Sequence, residues 1–350
     1  MAFFDLIRRS TKDTHTKPLS DAQKQAEQKT VFVGAPKIRT IFMGTPELSA
    51  VVLSGLIEQK YNIVAVVTKV DKPSGRKQEA VESAVKKKAL EHNIPVLQPE
   101  KFDEATVLAI KNLQPDLIIV AAYGKILPAE VLKIPGFGCI NVHASLLPLW
   151  RGASPIQNAL LVGSSETGIT IMLMDEGMDT GDILAQKKIA VNEDDTNESL
   201  RARLTETGRE FLLETLPHWI ERTIAPQPQD HEKATLCQLI EREDGHILWT
   251  ESAENIYNRY RALYPWPGIF VFWKKENELL RLKLLRISYQ KNSPQIAHPL
   301  GQVFEVGEKI GVQTSDGVIF LEEVQLEGKT RLPIAEFLLG NKDIIGSFLQ

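Results

Sequence analysis

The sequence predicts an α/β protein in two parts, in which a mostly parallel sheet with flanking helices precedes a small β-barrel. Two observations support this. Strand-like and helix-like segments alternate in the first part of the chain, and short β-rich runs punctuated by glycine fill the last part. A length of 350 residues is also too long for one ordinary domain and comfortable for two.

The first predicted elements have the order strand, helix, strand. Residues 38–43 form a strand-like run, residues 47–59 carry apolar residues at helical spacing, and residues 62–68 are again strand-like. Pro46 stands between the first two, where proline suits the first turn of a helix. This βαβ order indicates a parallel sheet.

The alternation continues toward residue 222. Helices are predicted near residues 83–92, 104–112, 155–162 and 197–222, and strands near residues 95–97, 116–122, 139–143, 168–174 and 182–189. The strand at 116–122 is almost wholly apolar, as expected for a strand buried on both faces. We therefore predict a Rossmann-like domain over residues 37–223.

The composition changes after this domain. A proline-bearing linker is predicted at residues 224–245, followed by an amphipathic segment near 251–262. Short strands are then expected at residues 269–274, 279–288, 302–306, 310–314 and 318–325. We predict that residues 246–350 form an OB-like β-barrel domain.

Residues 1–36 are expected to be a flexible N-terminal extension. This segment mixes acidic with basic residues, which is not typical of a transit peptide, and it lacks the long apolar core of a signal peptide. No apolar run in the chain approaches the ~18–20 residues that a membrane span needs. The two cysteines, Cys139 and Cys237, form neither a disulfide framework nor a metal-type spacing. We therefore expect a cytoplasmic protein with no metal and no membrane partner.

Asn141 and His143 lie at the end of the strand that begins at Cys139. Open α/β sheets bind ligands beyond the carboxyl ends of their strands, and residues separated by one position point to the same side of a strand. An amide and an imidazole would thus meet where a substrate carbonyl can bind. The structural alternative is an asparagine that ends a strand and a histidine that caps the next loop.

Three segments carry a resemblance to a known family. Residues 141–148 (NVHASLLP), 150–157 (WRGASPIQ) and 178–182 (MDTGD) together resemble the signature of the folate-dependent formyltransferases. The resemblance extends over about residues 37–345. It implies that the domain at 37–223 is a formyltransferase domain that uses 10-formyltetrahydrofolate as formyl donor and releases tetrahydrofolate.

The resemblance also implies roles for particular residues. Asn141 and His143 would stabilise the oxyanion formed on the formyl group, and Asp179 would assist His143 in moving the proton. Ser145, Leu146, Leu147 and Pro148 would contact the folate. Spacing alone does not distinguish Asp179 from its neighbours Asp175 and Asp182; only the family pattern favours it, with Asp182 as a cap of the turn at residues 180–181. Arg151 could contact a substrate or pair with an acid of its own loop, and Cys139 is interpreted as packing.

Other segments indicate the acceptor. Residues 151–157 (RGASPIQ), 42–46, 122–128, 243–249 and 261–268 resemble the bacterial, cytoplasmic family members that formylate initiator methionyl-tRNA. A sugar formyltransferase is the nearest alternative, because it shares the donor and the three catalytic residues. A non-catalytic nucleotide-binding module is a second alternative. Against it, the first turn lacks the G-x-G-x-x-G pattern, and Glu47 would repel a pyrophosphate.

The net charge is −4, so contact with RNA would have to come from local basic patches. One candidate is the loop at residues 68–79, and the other is the segment at 259–291. The proposed tRNA-binding residues in these patches are Lys72, Arg76, Lys77, Arg259, Arg261, Lys274 and Lys275. The alternatives are a solvated charged loop and lysines on the exterior of any soluble barrel. We expect the protein to act as a monomer.

Overall fold

The structure is a computed structural model that describes residues 37–350 except 75–78 and 292–297, and of residues 72–74 and 79 it describes the backbone. The predicted extension at residues 1–36 therefore lies outside the described residues, as do Arg76, Lys77 and the side chain of Lys72.

The first part of the chain alternates strands with helices, as the sequence predicts. Its strands are β1 (Arg39–Gly44), β2 (Asn62–Val67), β3 (Lys72–Ser74), β4 (Glu79–Val81), β5 (Val96–Leu97), β6 (Leu117–Ala121), β7 (Cys139–His143), β8 (Arg151–Gly152), β9 (Glu166–Leu173), β10 (Ile183–Ala190) and β11 (Leu236–Cys237). Its helices are α1 (Glu47–Glu58), α2 (Ala84–Glu91), α3 (Glu104–Asn112), α4 (Ala129–Leu132), α5 (Pro155–Leu161) and α6 (Asn197–Ile220).

Seven of these strands form one sheet in the order β10-β9-β7-β6-β1-β2-β5. The five strands from β7 to β5 run parallel, whereas β9 is antiparallel to β7 and β10 is antiparallel to β9. All five residues of β6 are buried, which explains why its sequence shows no alternation of polar and apolar residues. The mostly parallel, Rossmann-like sheet is confirmed.

Capping side chains mark where several helices begin. Ser83 accepts the Lys86 N–H at the start of α2, and Asp103 accepts the Thr106 N–H at the start of α3. A reciprocal capping box between Thr196 and Ser199 opens α6, the 24-residue helix that packs on α1 and β9. Each cap satisfies backbone donors that a helix leaves without partners.

The last part of the chain forms an antiparallel sheet, with one helix before its first strand and one after its last strand. Its elements are α7 (Ala253–Leu263), β12 (Ile269–Lys275), β13 (Glu278–Lys291), β14 (Val303–Val306), β15 (Lys309–Gln313), β16 (Gly317–Leu326), β17 (Arg331–Pro333) and α8 (Ile334–Gly340). The strand order is β12-β13-β16-β15-β14, with β17 paired to β16.

The C-terminal residues join the two edges of this sheet. Gln350 exchanges two backbone hydrogen bonds with Phe272 of β12, at 2.7 and 2.8 Å. At the other edge, Val303 of β14 donates to the Ser347 carbonyl at 2.9 Å and accepts from the Gly346 N–H at 2.8 Å. Since both edge strands are paired, the sheet closes into a barrel.

Some elements were not predicted. The helix α8, the hairpin β3–β4 and the short parallel pair β8–β11 are additions from the structure. Among the described residues, no helix combines the length and the apolar composition that crossing a membrane requires.

Candidate active site

The structure brings Asn141, His143 and Asp179 together. Asn141 and His143 lie on β7 between β6 and β9, and the His143 side chain is buried, with the residue only 5% exposed. Asp179 lies in the loop between β9 and β10 and has a left-handed backbone with φ of +54°. Such a conformation is uncommon outside glycine and is often found at functional sites.

The Asp179 carboxylate is held from three sides. Its Oδ2 accepts the Gly152 N–H at 2.8 Å and lies 3.6 Å from His143 Nδ1. Its Oδ1 accepts from Asn141 Nδ2 at 3.4 Å. The Asn141 contact uses one of the two N–H groups of that amide.

His143 faces an acceptor with each ring nitrogen. Nε2 lies 3.1 Å from the Trp150 carbonyl, to which it can donate, and Nδ1 faces Asp179. The imidazole is thereby fixed in orientation between the loop at residue 150 and the loop at residue 179.

The two competing acids have other environments. Asp175 accepts the Gly177 N–H at 3.0 Å and the Thr180 hydroxyl at 2.6 Å, so it holds the turn that follows it. Within the described residues, the Asp182 side chain makes no hydrogen bond or ion pair, although its backbone carbonyl accepts from Leu173. The geometry therefore places Asp179, and neither of these neighbours, beside His143.

The predicted folate-binding segment follows β7 and contains a cis peptide bond between Leu147 and Pro148. Ser145 is fully buried and donates to the Leu149 carbonyl at 2.6 Å, and Leu147 is 3% exposed. Thr170, which the sequence analysis missed, donates to the Ser145 carbonyl and accepts the Leu147 N–H. Ser145 and Leu147 hold the loop, whereas half-buried Leu146 and Pro148 retain surface for a ligand.

Arg151 is buried, and in the part of the chain that the structure describes no salt bridge joins it to an acid. Its Nε and Nη2 donate to Gln229 Oε1 at 3.1 and 2.7 Å, and Nη2 also lies 3.0 Å from His231 Nδ1. An acid in its own loop, the second use considered from the sequence, does not match this geometry, whereas a contact of Arg151 with a substrate stays a prediction. Gln229 and His231 were missed because nothing in the composition of the predicted linker distinguishes them.

The prediction that Arg261 binds RNA is wrong. The residue is 6% exposed, and its guanidinium donates to the carbonyls of Asn192 and Asp195 and to the Asn258 side chain. A buried guanidinium with these partners ties α7 to the loop before α6 and cannot reach a phosphate on the surface.

The other described basic candidates differ in their surroundings. Lys274 is exposed. Lys275 contacts Asn341 at 2.8 Å and Asp343 at 3.5 Å, and Arg259 pairs with Glu251 at 3.0 Å. Lys274 is therefore the most accessible of these three cations.

The buried thiols are poor nucleophiles. Burial raises the pKa of Cys139 to about 12, and burial also raises the pKa of Cys237. In the part of the chain that the structure describes, no three His, Cys, Asp or Glu side chains form a group that could hold a metal ion.

Comparison with known proteins gives the class of enzyme to which this site belongs. Residues 37–216 match the family described as formyl transferase, and residues 239–342 match the family described as formyl transferase, C-terminal domain. The chain therefore belongs to the formyl transferase family.

Relatives that match over almost their whole length show which members of the family this chain resembles. The chain is 45% identical over 324 residues to the methionyl-tRNA formyltransferase of Caldicellulosiruptor saccharolyticus, covering 91% of this chain and 99% of that protein. It is 42% identical to the methionyl-tRNA formyltransferase of Caldanaerobacter subterraneus, again covering 91% of this chain and 99% of that protein.

A solved structure shares the fold. The N-formyltransferase from Helicobacter canadensis, in complex with folinic acid and dTDP-3-aminofucose, superposes with a TM-score of 0.60 at 17% identity. The match covers 81% of this chain and 98% of that one.

Proposed function

We propose that this enzyme transfers the formyl group of 10-formyltetrahydrofolate to the α-amine of initiator methionyl-tRNA. The products are N-formylmethionyl-tRNA, which serves translation initiation, and tetrahydrofolate. The observation that carries the proposal is the convergence of Asn141, His143 and Asp179 in a chain whose full-length relatives are methionyl-tRNA formyltransferases.

The acceptor does not require a covalent enzyme nucleophile. An aminoacyl α-amine has a pKa near or below the ~7.7–8.0 of a protein N-terminus, so a large share is neutral and nucleophilic near pH 7. The amine nitrogen bonds to the formyl carbon, whose carbonyl oxygen takes the electron pair. Stabilising that oxyanion is the main task of the site.

Asn141 and His143 supply the hydrogen-bond donors. The second N–H of the Asn141 amide is available for the oxyanion, and His143 stands two positions further along the same strand, on the same side. His143 Nε2 can exchange its bond to the Trp150 carbonyl for one to the substrate, since contacts at catalytic groups commonly tighten only with substrate present.

Asp179 orients these donors and stabilises positive charge on His143 while the proton is transferred. The attacking amine becomes cationic and loses a proton, while the folate nitrogen gains one as the bond from the formyl carbon to that nitrogen breaks. A carboxylate 3.6 Å from His143 Nδ1 stabilises a positively charged imidazole during that transfer. The Gly152 N–H keeps the carboxylate in place throughout.

The residues present fit a folate donor. The site combines an amide donor, an imidazole and a carboxylate, which is the set that formyl transfer between two nitrogens needs. Leu146 and Pro148 would pack against the folate ring system, and Ser145 and Leu147 would support them from below.

We propose that RNA binds by charge through the loop that contains Lys72, Arg76 and Lys77, and through the barrel at Lys274. Arg259 and Lys275 are secondary contacts, because each already has an acidic partner. Contacts of this kind position a phosphate backbone without reading bases. We further propose the division into a catalytic domain at 37–223, a linker at 224–245 and a tRNA-binding domain at 246–350, acting as a cytoplasmic monomer.

The test is transfer of labelled formyl from 10-formyltetrahydrofolate to charged tRNA, with initiator and elongator methionyl-tRNA compared side by side. Transfer to the initiator with little to the elongator is expected. Efficient transfer to an amino sugar nucleotide, with none to either tRNA, would instead identify a sugar formyltransferase.

A further inference from the structure

The segment between the two domains is built into the catalytic site. We propose that residues 229–237, here called the strap, position Asp179 and the loop at 150–152 for formyl transfer, with Gln229 as the principal positioning residue. This inference rests on the proposed function, since it assigns a role in the same reaction. The strap lies between the two ranges that match the formyl transferase families, which end at residue 216 and resume at residue 239.

Gln229 uses its whole hydrogen-bonding capacity inside the protein. The residue is 5% exposed, and its Oε1 accepts both Nε and Nη2 of Arg151. Its Nε2 donates to the carbonyl of Asp179 at 2.9 Å and to the carbonyl of Gly181 at 2.7 Å. One amide thus joins the two loops that hold the catalytic carboxylate, with both donors and both lone pairs occupied.

The remaining strap contacts hold the second loop. Thr235 accepts the Trp150 N–H through its hydroxyl at 2.8 Å and the Arg151 N–H through its carbonyl at 2.9 Å. The pair β8–β11 continues this contact, with Arg151 opposite Leu236 and Gly152 opposite Cys237. The Trp150 carbonyl faces His143, and the Gly152 N–H donates to Asp179. By holding this loop, the strap therefore helps to position both catalytic side chains.

The backbone at these positions explains why support is needed. Trp150 has φ of +61° and Asp179 has φ of +54°, a region that residues with side chains adopt at a cost. Gly152 has φ of +117°, and a Cβ there would lie 2.3 Å from the Cys237 carbonyl. The strap can therefore approach the loop at 150–152 this closely because Gly152 has no side chain.

The experiment replaces Gln229 by methionine, which keeps the volume of the side chain and removes its hydrogen bonds. Gln227→Met is the matched control, because Gln227 is an exposed amide two residues before the strap, and among the described residues its side chain hydrogen-bonds only to the Ala225 carbonyl, at 3.4 Å. We expect Gln229→Met to lower kcat by about 10- to 100-fold, since small misplacements of catalytic groups have effects of this size. KM for both substrates should stay within about twofold of wild type.

Gln229→Glu separates the two halves of the role. A carboxylate still accepts from Arg151 but cannot donate to the Asp179 and Gly181 carbonyls. A loss of kcat as large as that of Gln229→Met supports positioning of Asp179. Full activity in Gln229→Glu would overturn the inference and leave only the contact with Arg151. If Gln229→Met does not fold, a loss of kcat of about 10- to 100-fold in folded Gln229→Glu, with KM nearly unchanged, carries the same test.

A double-mutant cycle shows whether Gln229 acts through Asp179. In an Asp179→Asn background, single-turnover measurement of the residual rate should show less than about a threefold further effect of Gln229→Met. An undiminished loss in that background would overturn the inference, because a purely structural defect would persist. The proposed function fails if wild type transfers no formyl to methionyl-tRNA. The inference about the strap is instead refuted by the ratio of variant kcat to wild-type kcat. That ratio can be measured with any acceptor that the wild-type enzyme formylates.

Discussion

Replacing Asn141 by alanine should slow formyl transfer by about 10²–10³-fold, or ~2.7–4 kcal/mol, because the change removes one donor to the oxyanion. The amide stands on β7 with one N–H directed at Asp179 and the other available for the substrate. The lost donor acts on charge that develops during the reaction, so the effect should fall on kcat with little change in KM.

The folded state should tolerate the same change. The Asn141 contact to Asp179 is 3.4 Å long, at the weak end for a hydrogen bond. Its net contribution to the free energy of unfolding should be at most about 1.5 kcal/mol. For a chain of this size that corresponds to a fall in Tm of at most about 5 °C. The variant should therefore be folded at the assay temperature.

The assay is single-turnover transfer of labelled formyl to initiator methionyl-tRNA with enzyme in excess. Asn112→Ala is the matched control, because Asn112 is an exposed residue at the end of α3. A loss of less than about fivefold in the Asn141→Ala rate, or a loss confined to KM, would refute the oxyanion role of Asn141.

Further outcomes are expected. His143→Ala and Asp179→Ala should each abolish turnover while leaving tRNA binding, measured by filter retention, close to wild type. Arg76→Ala should raise KM for tRNA several-fold with little effect on a minimal amine acceptor, and the difference from wild type should shrink at high salt. Gly152→Ala should destabilise the fold by about 1–3 kcal/mol in urea unfolding, because its Cβ would meet the Cys237 carbonyl and its φ is +117°. Since burial raises the pKa of Cys139 to about 12, that thiol should resist alkylation from pH 7 to pH 9 and react only on unfolding, as followed by mass spectrometry.

Local pattern predicted the elements whose burial is strong and continuous. The strand β6 lies within the predicted run at residues 116–122, since all five of its residues are buried and its sequence is continuously apolar. The helix α8 was missed because it has only seven residues and depends on a distant contact. Phe337 is 3% exposed and lies 6.1 Å from Trp273 between ring centroids.

The same distinction holds at the site. Asn141, His143 and Asp179 were accessible from sequence because they belong to a recognised pattern, and the structure brings them together. The role of Gln229 could not be predicted from the sequence. Gln229 lies in a segment with the composition of a linker, and its hydrogen-bond partners are 48 to 78 residues away in the sequence. Basic residues also cannot be sorted by sequence alone into surface cations and internal anchors, as buried Arg261 shows.

The most direct test of the proposed function is the rate of formyl transfer to initiator methionyl-tRNA relative to elongator methionyl-tRNA, measured with the same donor and enzyme. We expect efficient transfer to the initiator, little to the elongator, and loss of both in His143→Ala. Equal use of the two tRNAs, or no transfer to either, would contradict it.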